Sequence, residues 1–212
     1  MNEMNGIAGE NIHVLLVEDN PADSLLIRSM LQESRHESFT FSTAGNLSEC
    51  FKWIAEIAFD IVLLDLTLPD THGLETFSAV YSKIPDTPVI VLSGLDDESI
   101  AIRAVHMGAQ DYLVKGQLDQ SLLHRSVRYA IERKRIEQRL RESETLYQSL
   151  VENLPQNILR KDLNGHFTFA NQRFCTELGM TTDEIIGKSD FDLYPMAMAA
   201  MYRDSDRQVM KT

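Results

Sequence analysis

Five short apolar runs recur along the first half of the chain, each parted from the next by a stretch of helical character, and this alternation restricts the fold more than any other feature. "IHVLLV" (12–17), "FTFSTA" (39–44), "DIVLL" (60–64), "PVIVL" (88–92) and "DYLV" (111–114) read as strands. Between them, 21–33, 46–57, 73–83 and 97–107 read as helices, each opened by a Pro, Asn, Gly or Asp signal. Runs this rich in Val, Ile and Leu are buried on both faces. The pattern therefore predicts an α/β domain whose five-stranded parallel sheet is doubly wound, with right-handed crossovers placing helices on both sides. Ligands of such sheets bind beyond the carboxyl ends of the strands.

The residues that stand at those ends share a chemistry. Glu18 and Asp19 follow the first strand, Asp65 the third, Ser93 the fourth and Lys115 the fifth. Three carboxylates brought together repel, and their pKa values rise unless a cation intervenes. Acidic oxygen ligands with room for water suit Mg²⁺, which keeps several waters and takes one or two carboxylates plus phosphate oxygens. A metal and a lysine beside one carboxylate allow that carboxylate to attack phosphorus and form an aspartyl phosphate, with the cations stabilising the transferring phosphoryl oxygens. The Ser93 hydroxyl can hydrogen-bond the product. A nucleophile needs a fixed position, which explains why the buried run "DIVLL" leads straight into Asp65.

The segments "LLVEDNPADS", "IVLLDLTLPDTHGLE", "VIVLSG" and "GAQDYLVKG", in that order and spacing, resemble the CheY-like receiver domain of two-component response regulators, over residues 11 to about 130. The resemblance implies that Asp65 is the phosphoacceptor, supplied by a histidine kinase or a histidine phosphotransfer protein. It implies that Glu18, Asp19, the Asp65 side chain and the backbone carbonyl of Thr67 hold Mg²⁺, and that Lys115 contacts the phosphoryl group. Ser93 and Tyr112 then form the switch, coupling the site to the face made by the fourth helix, fifth strand and fifth helix. Phosphorylation and dephosphorylation of its own aspartate are implied too, and no separate catalytic domain is visible. Many receivers have Lys-Pro where this chain has Lys115-Gly116. Thr67 and Leu95 occupy positions that in the family tune hydrolysis, and an apolar Leu95, unable to position a water, implies a long-lived phosphoryl state.

From Leu118 to about Leu150 the chain is dense in Glu, Arg, Leu and Lys and reads as one long helix. Leu123, Val127 and Ala130 are expected on the sheet. Ile136, Leu140, Ser143, Tyr147 and Leu150 follow at spacings of 4, 3, 4 and 3, a heptad-like seam that predicts a homodimer through the 118–150 helix; the alternative is a solvated charged helix. Residues 145–212 open as an α+β segment and resemble the N-terminal part of a PAS sensory domain. Gly165, Asn171, the "LG" at 178–179 and "EIIGK" (184–188) carry that resemblance. The sequence stops before the strands that would complete a PAS domain, and any output module is expected beyond residue 212. Residues 1–10 read as a tail.

The formal charge of −12 argues against direct nucleic-acid binding. It is uneven, with 6 Lys and Arg against 19 Asp and Glu in residues 1–124 but 7 against 4 in residues 125–150. No apolar run approaches a membrane span and no secretory signal opens the chain, so the expected location is cytoplasmic. Cys50 and Cys175 have no Cys or His at ligand spacing and read as buried thiols. Asp70 and Asp97 read as turn and helix-cap residues. The competing functions are a non-phosphorylated dimerisation adaptor and a Mg²⁺-dependent aspartyl-phosphate phosphohydrolase of the haloacid dehalogenase type. The latter needs a second Asp two positions after the nucleophile, where this chain has Thr67.

Overall fold

The computed structural model describes residues 11–33, 37–94 and 98–209. The chain parts into two compact units between Arg139 and Leu140. In the first unit the strands are β1 (Asn11–Val17), β2 (Ser38–Ala44), β3 (Ile61–Asp65), a two-residue hairpin of β4 (Thr67–Leu68) and β5 (Thr71–His72), β6 (Val89–Ser93) and β7 (Asp111–Val114). The five long ones form a parallel sheet in the order β2-β1-β3-β6-β7. The direction of winding reverses between β1 and β3, the position where ligands of doubly wound sheets bind.

Alternate side chains leave a strand on opposite faces, and both faces here are covered. Leu15, Val17, Val62, Leu64, Val89 and Val91 meet Phe77, Val80, Ala101 and Ala104 on one side. Val14, Leu16, Ile61, Leu63, Ile90 and Leu92 meet Ile27, Leu31, Leu123, Val127 and Ala130 on the other. The two-sided burial accounts for the apolar runs of β1, β3 and β6. The helices on these faces are α1 (Pro21–Gln32), α2 (Leu47–Glu56), α3 (Leu74–Tyr81), α4 (Glu98–His106) and the start of α5 (Gln120–Asn153).

The long helix begins two residues later than the sequence suggests and runs three residues further. A 3₁₀ turn occupies Lys115–Gln117, and the Asp119 side chain accepts from Leu122 N at 2.8 Å, fixing the start. Pro155 cannot continue the helix, which stops at Asn153. Leu123, Val127 and Ala130 lie in the core as expected, whereas Ile136, Leu140, Tyr147 and Leu150 are each more than half exposed. The β4–β5 hairpin was not anticipated, because strands of two residues carry no periodicity.

In the second unit, β8 (Leu159–Lys161) and β9 (Phe167–Ala170) pair antiparallel with an irregularity at Arg160/Lys161. They are followed by α6 (Gln172–Leu178), α7 (Thr182–Ile185), α8 (Asp190–Leu193) and α9 (Met196–Val209). Phe167, Ala170, Phe174, Cys175 and Ile185 form its core. Within "QNILRK" (156–161) only 159–161 pairs. Asn157 instead donates to Glu177, and Ile158 N is taken by the Asn171 side chain. Gly179 closes α6 at φ 66°, a conformation that costs glycine little. Both cysteines are buried and free, and burial, with Asp70 adding to it, pushes the Cys50 thiol up to about 12.

Candidate functional site

The ends of β1, β3 and β7 bring their charged residues together at the carboxyl edge of the sheet. Glu18 N continues the β1–β2 pairing by donating to Ala44 O at 2.9 Å, which draws the acidic pair toward the sheet. Glu18 Oε1 accepts from Asn20 N at 3.2 Å, and the Asn20 side chain caps α1 by accepting from Ala22 N at 3.0 Å, with Pro21 in the first helical position. The acidic pair is thus clamped between a strand end and a helix start. Glu18 is buried and Asp19 exposed.

Asp65, the last residue of β3, is 5 % exposed. One carboxylate oxygen accepts from Thr67 N at 2.9 Å and the other lies 2.6 Å from Lys115 Nζ. Lys115, delivered by the end of β7, also pairs with Glu18 Oε2 at 2.6 Å and reaches Asp23 Oδ2 at 3.5 Å. Ser93 closes β6 with its hydroxyl buried, and Ser93 Oγ has no hydrogen-bond partner among the described residues. Tyr112, in the middle of β7, is half-buried against the core. Leu95 and Asp97 lie outside the described residues.

Burial is the main force raising the Glu18 pKa, and the charge of Asp65 adds to it against the pull of Lys115. For Lys115 burial alone would favour the neutral amine; its hydrogen bonds to Asp65 and Glu18 outweigh that and carry its pKa above the ordinary value. One ammonium therefore serves several carboxylates, and the site stays short of positive charge. Oxygen atoms of Glu18, Asp19 and Asp65 all lie within 4.8 Å of one another, a donor set of hard oxygens that fits a small divalent cation. Asp23 escaped the sequence reading. Its position one helical turn beyond Asp19, in the first turn of α1, was the available signal.

The chain matches the response regulator receiver domain over residues 14–128 and the PAS fold over residues 151–212. It belongs to the response regulator receiver family. The receiver is 31% identical to the chemotaxis protein CheY of Listeria monocytogenes over 104 residues, covering 49% of this chain and 86% of that protein. It is 27% identical to the transcriptional regulatory protein ZraR of Klebsiella oxytoca over 109 residues, 51% of this chain but 24% of ZraR. The crystal structure of a response regulator receiver domain protein from Clostridium thermocellum superposes with a TM-score of 0.53 at 25% identity, covering 59% of this chain and 98% of that one. The receiver is of the two-component type, and no helix among the described residues is long and apolar enough to cross a membrane.

Proposed function

We propose that Asp65 accepts a phosphoryl group from the phosphohistidine of a partner kinase or histidine phosphotransfer protein. The observation that carries this reading is the 2.6 Å contact between the buried Asp65 carboxylate and Lys115 at the carboxyl edge of the sheet. A carboxylate oxygen of Asp65 attacks phosphorus as the phosphorus–nitrogen bond breaks; the bonding pair stays on the imidazole, and the acyl phosphate remains on Asp65. Lys115 shares its hydrogen bonds with the incoming phosphoryl oxygens. The Ser93 hydroxyl, buried with no partner of its own among the described residues, donates to one of them.

Glu18, Asp19, the Asp65 side chain and the Thr67 carbonyl would hold Mg²⁺, which when bound neutralises charge on the phosphoryl oxygens. Movement of Ser93 toward the phosphoryl group frees space that Tyr112 fills, carrying the change to the face of α4, β7 and α5. The long helix passes it to the PAS-like segment, and its exposed seam of Ile136, Leu140, Tyr147 and Leu150 supports a homodimer. We take the setting to be cytoplasmic, and the acidic charge supports a protein partner over a nucleic acid.

Intact-protein mass after incubation with Mg²⁺ and a small-molecule phosphodonor tests the reading. The native chain is expected to gain one phosphoryl group and the Asp65→Asn chain none. Absence of any gain in the native chain, with a cognate kinase also supplied, would leave the dimerisation adaptor as the better account.

A further inference from the structure

The loops that carry the site's oxygens are joined to one another by hydrogen bonds that lie outside the site. Glu18 N is bound to Ala44 O, the last residue of β2. The next residue, Gly45, donates its N–H to Glu49 Oε2 at 2.9 Å, while Asn46 Oδ1 accepts from Glu49 N at 2.8 Å and so starts α2. A helix start leaves further N–H groups without partners inside the helix. Those of Leu47 and Ser48 are taken by Asp70, at 3.0 and 3.2 Å, with the Ser48 hydroxyl adding a longer contact at 3.4 Å.

Asp70 therefore caps not the helix that follows it but one that starts 23 residues earlier. It stands at the turn of the β4–β5 hairpin, whose first residue is Thr67. The base of the hairpin is tied by Gly73 N and the buried Thr76 hydroxyl, both donating to Leu66 O at 2.7 and 3.0 Å. Between base and tip there are only the two residue pairs Thr67–His72 and Leu68–Thr71. A ladder that short is marginal by itself. Its far end is held by Leu68 in the core, by a 3.3 Å hydrogen bond between the Thr76 and Thr71 hydroxyls, and, at the turn itself, by the hydrogen bonds from Leu47 and Ser48.

We propose that Asp70 is a positioning residue for the metal-binding oxygens: by fastening the hairpin tip to the start of α2, it sets where the Thr67 carbonyl stands relative to Asp65 and Glu18. This rests on the reading of those residues as Mg²⁺ ligands. Removal of Asp70 loosens the turn of the hairpin and with it the geometry that a small octahedral cation demands.

The test compares the native chain with Asp70→Ala, Asp70→Asn and Asn46→Ala, each kept at full length and checked for folding by circular dichroism. Mg²⁺ affinity is measured by titration calorimetry. Asn46→Ala removes a cap from the same helix without touching the hairpin, so it reports what a weakened α2 does alone. Asp70→Ala is expected to lose about tenfold in Mg²⁺ affinity, the order seen when outer-shell supports are removed. Asp70→Asn, which keeps one acceptor oxygen, falls between it and the native chain and still answers if Asp70→Ala does not fold. Asn46→Ala keeps native affinity while its unfolding midpoint drops. Native affinity in both Asp70 variants overturns the proposal, and so does an equal loss in Asn46→Ala, which would make Asp70 only another helix cap. A native chain that takes up no Mg²⁺ overturns the parent reading as well, and is told apart because no variant is needed to see it.

Discussion

In the receiver unit, Glu18 and Asp65 are buried and paired with Lys115, while the buried Ser93 Oγ has no hydrogen-bond partner among the described residues. In the second unit, the fully buried Asn171 uses its whole capacity. Its oxygen accepts from Ile158 N and Phe174 N, and its amide nitrogen donates to Val151 O and Gln156 O. Lys161 is likewise complete, bonding both oxygens of the buried Asp190 at 2.7 Å and Asp206 at 2.8 Å, with its ammonium 4.9 Å from the centre of the Phe167 ring. A buried polar group left open costs stability, whereas one that is fully satisfied specifies a unique packing. The open Ser93 hydroxyl stands where a ligand is expected to complete it, and the closed groups hold the smaller core together.

The contrast can be broken most forcefully at Lys161. Lys161→Ala leaves Asp190, 2 % exposed, without its cation, and removal of one partner from a buried pair costs roughly 3–5 kcal/mol. The only tryptophan, Trp53, lies in the receiver unit. Chemical unfolding followed by far-ultraviolet circular dichroism should therefore show an early loss of signal while Trp53 fluorescence keeps its native midpoint. Equal displacement of both signals would mean that the units unfold together. Asn171→Ala should act in the same direction by about 3 kcal/mol, since it strands two carbonyls and two amides, each worth about 1 kcal/mol with some recovered by water.

Ser93→Ala sharpens the other side. Among the described residues its hydroxyl has no partner to lose, so urea unfolding should change by less than about 0.5 kcal/mol while phosphoryl uptake slows. A large loss of stability would show that the hydroxyl is structural. The smallest effect concerns acid. Backbone amides, of Leu47 first for Asp70, of His166 for Asp162 and of Thr181 for Glu184, hold these exposed carboxyls below their ordinary range, as the Ser189 hydroxyl does for Asp192. The unfolded chain binds these protons first as pH falls, so their contribution is whole above about pH 5 and declines through about pH 4. The difference in unfolding free energy between the native chain and Asp70→Asn should shrink across that window; a constant difference would show that the charge of Asp70 contributes nothing.

The sheet was legible because its central strands, β1, β3 and β6, are buried on both faces and so spell themselves as apolar runs. The residues at the strand ends were legible for a related reason: a charge directly after such a run has few places to go but the edge. What escaped the reading was built from single contacts between distant segments. Asp70 looks like any turn residue until Leu47 and Ser48 are seen to need acceptors. Asp23 looks like a first-turn helix acid until Lys115 arrives from β7. The short helices α7 and α8 carry capping boxes, Thr181 with Glu184 and Ser189 with Asp192, at a spacing visible in the sequence but too brief for periodicity to show.

The Asn171 amide grips α5 through the carbonyl of Val151, in the last turn of that helix. An advance of one residue along the helix is about 1.5 Å, enough to pull a 3.1 Å hydrogen bond out of range. Because the same side chain also fixes the entry to β8 and the first turn of α6, it cannot follow the helix without letting go of both. One side chain thus pins three elements at once, the last turn of α5, the entry to β8 and the start of α6, and a displacement of any one of them is resisted by the other two.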